Sequence, residues 1–242
     1  MFTHYRTRGF IINKTDKGES DRIFTVFTED FGKLELLARS ERKIKSKLRA
    51  GLELFYLSEI EFIQGKAYKT LTDAVLIESF AGTRKDLGKL KIAKQITEVL
   101  DALVRGEESD QQIWQLLSGS LEALDNWKIE NWKLKIIYYY FLWNFLSIMG
   151  YQLDLYNCVT CQKKISPEKI YFNPAEGGLI CGQCSAKFGK MKEIAVPAVK
   201  TLRILLGKDL VTLKRLKLEQ ENLKVLSQAS KYYLSEVLRQ FE

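Results

Sequence analysis

Tyr5-Arg-Thr-Arg-Gly-Phe-Ile-Ile-Asn13, Arg22-Ile-Phe-Thr-Val-Phe-Thr28 and Lys33-Leu-Glu-Leu-Leu-Ala-Arg39 are three runs rich in Phe, Ile, Val, Tyr and Thr. Turn residues, Asp16-Lys17-Gly18 and Asp30-Phe31-Gly32, separate them, which is the pattern of consecutive strands. Leu52–Gln64 and Tyr68–Glu78, divided by Gln64-Gly65-Lys66, extend the series to five. Within the second run, Phe24 and Val26 face one way while Ile23, Thr25 and Phe27 face the other. Both faces are partly apolar, which fits a small closed or half-closed barrel and not a sheet with one wet face. The long gap between the third and fourth strands predicts a five-stranded OB-fold barrel over residues 1–80.

From Arg84 the apolar period changes to that of helices. Leu87, Leu90, Ala93, Ile96, Leu100 and Leu103 trace one stripe, and Ile113, Leu117, Leu121 and Leu124 a second. A third helix is expected from about Ile129 to Met149, with Gly150 as its C-cap. Its apolar run, Ile136 to Met149, falls short of the roughly 20 residues needed to span a bilayer, so a buried helix is expected. Val199 to Leu206, with Pro197 near its start, and a stripe from Leu223 to Phe241 complete the helices. The expected fold is α+β and multi-domain: a barrel at 1–80, then an all-α helical domain at 81–153 and 190–242, interrupted at 154–189.

All four cysteines lie in that interruption as Cys158-x2-Cys161-x19-Cys181-x2-Cys184. Two residues between cysteines let both thiolates reach one ion from a tight turn, and two such turns close a tetrahedral site. Asn173-Pro174 and Gly177-Gly178 let the link fold back as a ribbon. The pattern predicts one structural Zn2+ held by Cys158, Cys161, Cys181 and Cys184. A dithiol redox pair is the competing reading.

The 242 residues carry 38 Lys and Arg against 30 Asp and Glu, a net charge of +8 that hints at an anionic partner. The excess is local. Residues 190–242 hold 11 basic and 6 acidic side chains, among them Lys200, Arg203, Lys208, Lys214, Arg215 and Lys217. In the barrel, Arg39, Arg42, Lys43, Lys45, Lys47 and Arg49 crowd the gap between strands three and four. Such a loop at a barrel rim tracks a phosphate backbone by counterion release, although most charge runs are only solvated loops. Of the barrel aromatics, Tyr56 and Tyr68 are the ones expected at the surface for base stacking, the rest being core.

Catalytic signatures fail. The only His is His4, Gly82 to Lys89 lacks the spacing and hydroxyl of a phosphate-binding loop, and no Gly-x-Ser-x-Gly elbow is present. No enzymatic activity is expected. Met1 to Lys17 lacks the apolar core of a secretory signal, so a cytoplasmic protein without membrane association is expected.

The motifs Tyr5-Arg6-Thr7-x-Gly9-Phe10-Ile11-Ile12, Gly18-Glu19-Ser20-Asp21-Arg22-Ile23, Phe27-Thr28, Gly32-Lys33-Leu34 and Leu48-Arg49-Ala50-Gly51-Leu52 resemble the bacterial RecO family of recombination mediators in DNA repair. The resemblance covers the whole chain, including the position of the four-cysteine insertion. It implies binding of single- and double-stranded DNA and annealing of complementary strands. It also implies work with RecR to load RecA onto DNA covered by single-stranded-DNA-binding protein, whose acidic C-terminal tail the family contacts. Localisation would be the bacterial cytoplasm, at the nucleoid. By matching position, Arg39, Arg42, Lys43, Lys45, Lys47 and Arg49 would contact phosphates, and the four cysteines would be zinc ligands. The chain departs from the family at Ser40, where glycine is usual, and at Glu41, where a small neutral residue is usual. A zinc-ribbon protein-interaction adaptor with little direct DNA binding is the alternative from a different class.

Overall fold

The computed structural model describes residues 3–65, 68–128, 130–189, 191, 193–207, 209–215 and 220–240. Five strands, β1 (His4–Lys17), β2 (Asp21–Thr28), β3 (Gly32–Ala38), β4 (Leu57–Gln64) and β5 (Lys69–Glu78), close a barrel in the order β1-β2-β3-β5-β4. This is the OB order. The β3–β5 pairing is parallel, Leu36 opposite Lys69 and Leu37 opposite Thr70, and β1 returns to β4 from His4 opposite Ile63 to Phe10 opposite Leu57. Ile11, Phe24, Val26, Leu34, Leu36, Ile60 and Phe62 fill the interior.

The other face of the strands is covered too. Phe10 and Phe27 point outward onto Trp114, with ring centroids 4.9 and 6.3 Å apart. Trp114 belongs to α3 (Gln111–Asn126), which follows α1 (Ala81–Arg84) and α2 (Leu87–Leu103). Asp86 caps α2 by accepting from the Gly88 and Lys89 amides, and Asp110 caps α3 through Gln112 and Ile113. Lys33 donates to the Asp101 carbonyl at 2.6 Å, fastening β3 to α2. Leu87 opens the α2 stripe in the sequence, yet it is 85% exposed and the helix buries its stripe only from the next turn.

The fourth strand begins at Leu57, not at Leu52 as its apolar content predicts. Lys47–Gly51 winds as a 3-10 turn and Phe55 takes a left-handed φ of 68°, so extended pairing starts only beyond it. Gly51 is required there, because a Cβ would lie 2.5 Å from the Ala74 carbonyl oxygen. Packing also groups the chain differently from its sequence periods. It forms two compact units, 1–127 and 128–242, so the first three helices belong with the barrel whose outer face they cover.

In the second unit, α4 (Asn131–Ile148), α6 (Val196–Gly207) and α8 (Gln220–Leu238) form a helical core around Trp143. The Trp143 indole donates to Ser230 Oγ at 2.8 Å and stacks near Tyr233 at 4.9 Å. Asn144, the polar interruption of the apolar run, donates to the Leu205 carbonyl of α6 at 3.1 Å. Between α4 and α6 come three short strands, β6 (Asp154–Cys158), β7 (Ile170–Asn173) and β8 (Gly178–Cys181), in the order β6-β8-β7, then α5 (Gly182–Ser185). A further turn of helix, α7 (Leu210–Lys214), precedes α8. Among the described residues no helix is long and apolar enough to cross a membrane.

Candidate metal centre and nucleic-acid interface

β6 ends on Cys158 and β8 on Cys181, so the parallel pairing of these strands sets the two knuckles side by side. Gly178 makes that pairing possible, since a Cβ there would lie 2.4 Å from the Asp154 carbonyl oxygen. In the first knuckle the Gln162 amide donates back to the Cys158 carbonyl at 2.8 Å, and Gln162 takes a left-handed φ of 58°. In the second, Cys181 precedes the single turn of α5 and Cys184 lies within it. All four Sγ atoms fall within 4.8 Å of one another, and those of Cys161 and Cys181 are 3.9 Å apart. A zinc tetrahedron with Zn–S near 2.3 Å has edges of about 3.8 Å, so the cluster fits the ion after small side-chain adjustments.

The surroundings agree with a closed structural site. Cys158 and Cys184 are buried, and Val159, Ile165, Tyr171, Ile180, Phe188 and Met191 pack around the sulfurs. Burial pushes the Cys158 thiol up, but amides of Cys181, Cys161 and Thr160 directed at the sulfur outweigh it and bring the thiol below its ordinary value. Cys184, buried and beside three other sulfurs, is pushed up. Burial and crowding by like groups account for the raised Cys184 thiol, and a divalent ion held by the four sulfurs would relieve that crowding.

The cationic segment folds as two successive turns. The Lys43 amide donates to the Ser40 carbonyl at 3.2 Å, and the Ser46 amide to the Lys43 carbonyl at 2.9 Å. Its base is fastened to the β1–β2 turn: the Arg42 amide reaches the Ser20 carbonyl at 3.0 Å and the Ser40 amide reaches Asp21 Oδ1 at 2.7 Å. The Ser40 amide holds the Asp21 carboxyl below its ordinary range, so this anchor survives mild acid. The far end is fastened by Leu48, packed against the barrel core, and by Leu52, fully buried in it.

All six expected phosphate ligands are exposed, but they are not equivalent. Arg42 is tied to the Gly18 carbonyl at 3.1 Å and lies 3.5 Å from Asp16. Arg39, Lys43, Lys45, Lys47 and Arg49 have no ion-pair partner among the described residues, leaving five free cations on the rim. Glu41 does not neutralise its loop neighbours. Its carboxylate is 2% exposed and turned inward, 3.2 Å from Arg22 Nη1. Nothing in the local sequence signals that inward turn, because Arg22 is brought to it only by the β2–β3 register that sets Arg22 opposite Ala38.

Ser40 has a left-handed φ of 54°, the conformation that glycine adopts without cost. This is the physical reason glycine suits the position. Ser40→Gly should therefore stabilise the barrel by about 1 kcal/mol, raising its thermal midpoint by a few degrees without touching the cations. An unchanged or lowered midpoint in calorimetry would contradict the strain.

Tyr68 is 40% exposed, as expected, with the Lys17 ammonium 3.3 Å from its ring centroid. Tyr56 is half-buried beneath Arg84, whose guanidinium lies 4.7 Å from its ring. Lys17 is a rim cation that its charge alone did not single out. The other barrel aromatics, Phe10, Phe24, Phe27, Phe55 and Phe62, are buried. Of the second basic segment, Lys208 and Lys217 lie outside the described residues, while Lys200, Lys214 and Arg215 are exposed. Arg203 is committed elsewhere: it donates twice to the Leu155 carbonyl and stacks 4.5 Å from the exposed Tyr156 ring.

Family comparison agrees with this architecture along the whole chain. A model of the Recombination protein O N-terminal domain matches residues 1–80, and one of the C-terminal domain matches residues 84–241. A DNA repair protein RecO from Dehalococcoides mccartyi is 36% identical over 225 residues, 93% of this chain and 87% of that protein. One from Acetivibrio thermocellus is 28% identical over 235 residues, 97% and 92% of the two chains. One from Desulfitobacterium hafniense is 27% identical over 237 residues, 97% and 85%. A barrel and a four-cysteine helical unit in this order, with both domain models matched in sequence, place the chain in the RecO family of DNA repair and recombination proteins.

Proposed function

We propose that this chain is a non-enzymatic recombination mediator that holds single- and double-stranded DNA on the barrel rim and anneals complementary strands. The observation that carries this reading is the anchored loop at 39–49, which presents five free cations beside the β1–β2 turn of an OB barrel. Arg39, Lys43, Lys45, Lys47 and Arg49 contact phosphates, and Arg42 holds the loop in place while lending its charge. Neutralising the phosphates of two strands lowers the repulsion that opposes their pairing.

In the second unit, Cys158, Cys161, Cys181 and Cys184 hold one Zn2+, which supplies binding energy to the fold and no chemistry. Among partners, RecR and, through it, RecA complete the mediator role. The acidic tail of single-stranded-DNA-binding protein is received by the helical unit. An open groove lined by Trp132, Tyr139 and Leu223, with Gln220, Ser227 and Gln228 beside them, offers the Lys135 ammonium for such a peptide, while Lys224 is shared with Glu221 at 3.1 Å.

The test is annealing of two labelled complementary oligonucleotides coated with the host single-stranded-DNA-binding protein. The chain should accelerate annealing several-fold at low salt and lose the effect as salt rises. No acceleration with oligonucleotide binding intact would sink the annealing role. No binding at all would favour the protein-interaction adaptor.

A further inference from the structure

The tip of the cationic loop carries Ile44, which is 92% exposed. Single apolar residues are ordinary on protein surfaces, but three observations set this one apart. It occupies the first corner of the turn closed by the Ser46 amide on the Lys43 carbonyl at 2.9 Å, where its side chain is held out from the loop. Its immediate neighbours, Lys43 and Lys45, are exposed and free of ion pairs among the described residues. The loop is held at Arg42 on one side and at Leu48 on the other, so the tip projects from two fixed points.

An apolar side chain thrust forward between two free ammonium groups meets whatever those groups attract. With a nucleic-acid backbone on the lysines, the isoleucine faces the bases, and burying its exposed surface between them is favourable. Apolar wedges flanked by cations separate stacked bases in this way.

We propose that Ile44 is a base-contacting wedge that inserts between adjacent bases of DNA held by Lys43 and Lys45, locally unstacking the duplex. The inference rests on the DNA-binding reading above and adds a residue and an action to it. Opening a step of residual pairing would free bases for the search that annealing requires.

The experiment uses the full chain and a short duplex carrying 2-aminopurine, whose fluorescence rises when stacking is lost. Wild-type protein at saturation should raise the signal several-fold. Ile44→Ser, a change at a solvent-exposed turn corner, should saturate the duplex within about threefold of the wild-type concentration yet leave the signal at the free-duplex level. Ile44→Phe should keep the rise. Lys43→Ala with Lys45→Ala should weaken binding but give the wild-type signal once saturated. Saturation by wild type without a rise, or an undiminished rise with Ile44→Ser, overturns the wedge and leaves DNA binding intact. Absence of binding in a low-salt titration overturns both.

Discussion

Replacing Cys184 by Ser should release the bound metal and unfold the 154–189 segment, leaving the barrel unit intact. Zinc binding to four thiolates in small folds is worth about 10–16 kcal/mol, and it is folding energy because the site does not exist in the unfolded chain. In the cluster around the sulfurs Ile180 is the one fully buried aliphatic residue, while Leu155, Ile170, Phe172 and Leu179 add the rest of the apolar support of the three short strands. Loss of only about 3 kcal/mol would lower the midpoint of a unit this size by about 12 °C, at roughly 4 °C per kcal/mol. Damage should spread into the helices, because Phe172 of β7 packs 6.1 Å from Trp143 and Arg203 of α6 bonds to Leu155 of β6. Elemental analysis should find one zinc per wild-type chain and far less in the variant. A midpoint that is insensitive to chelation, or a chain purified without metal, would defeat the structural-zinc reading.

Replacing Lys43, Lys45 and Lys47 together by Ala should weaken binding to single strands of any sequence by about 100-fold at 0.1 M salt. Five neutralised phosphates give a slope of log K against log salt near −3.5, at about −0.7 for each on single strands. Removing three cations should bring the slope to about −1.4, and the two lines should converge toward 1 M salt, where counterion release no longer favours binding. The substitution leaves the fold alone, because these side chains are exposed and unpaired among the described residues, whereas Arg42→Ala would also loosen the loop from Gly18. Titrations of several oligonucleotide sequences at stepped salt decide it. An unchanged slope places the phosphate contacts elsewhere, and a loss confined to one sequence indicates base readout instead.

Much of this protein is legible in one dimension because its signals are local. Alternation in Phe24 to Phe27 announces a strand with two covered faces, and the structure fills one with the barrel core and the other with Trp114. The paired Cys-x2-Cys spacing announces a cluster, and the four sulfurs do meet within 4.8 Å. Other features are not legible. Phe55 ends what reads as a strand from Leu52, because a left-handed residue leaves no trace in an apolar run. Glu41 stands among cations in the sequence, yet its carboxylate is buried facing Arg22.

By itself the sequence determined the main elements, their order and where cysteines and cations gather, since periodicity, turn residues and residue spacing act between neighbours along the chain. Only the tertiary structure decided which of those groups are available. The β2–β3 register joins the base of the cationic loop to the β1–β2 turn, ties Arg42 there, turns Glu41 inward and leaves Ile44 at the tip between free lysines. Those outcomes depend on contacts between residues about twenty positions apart in the chain, and no pattern of nearest neighbours encodes them.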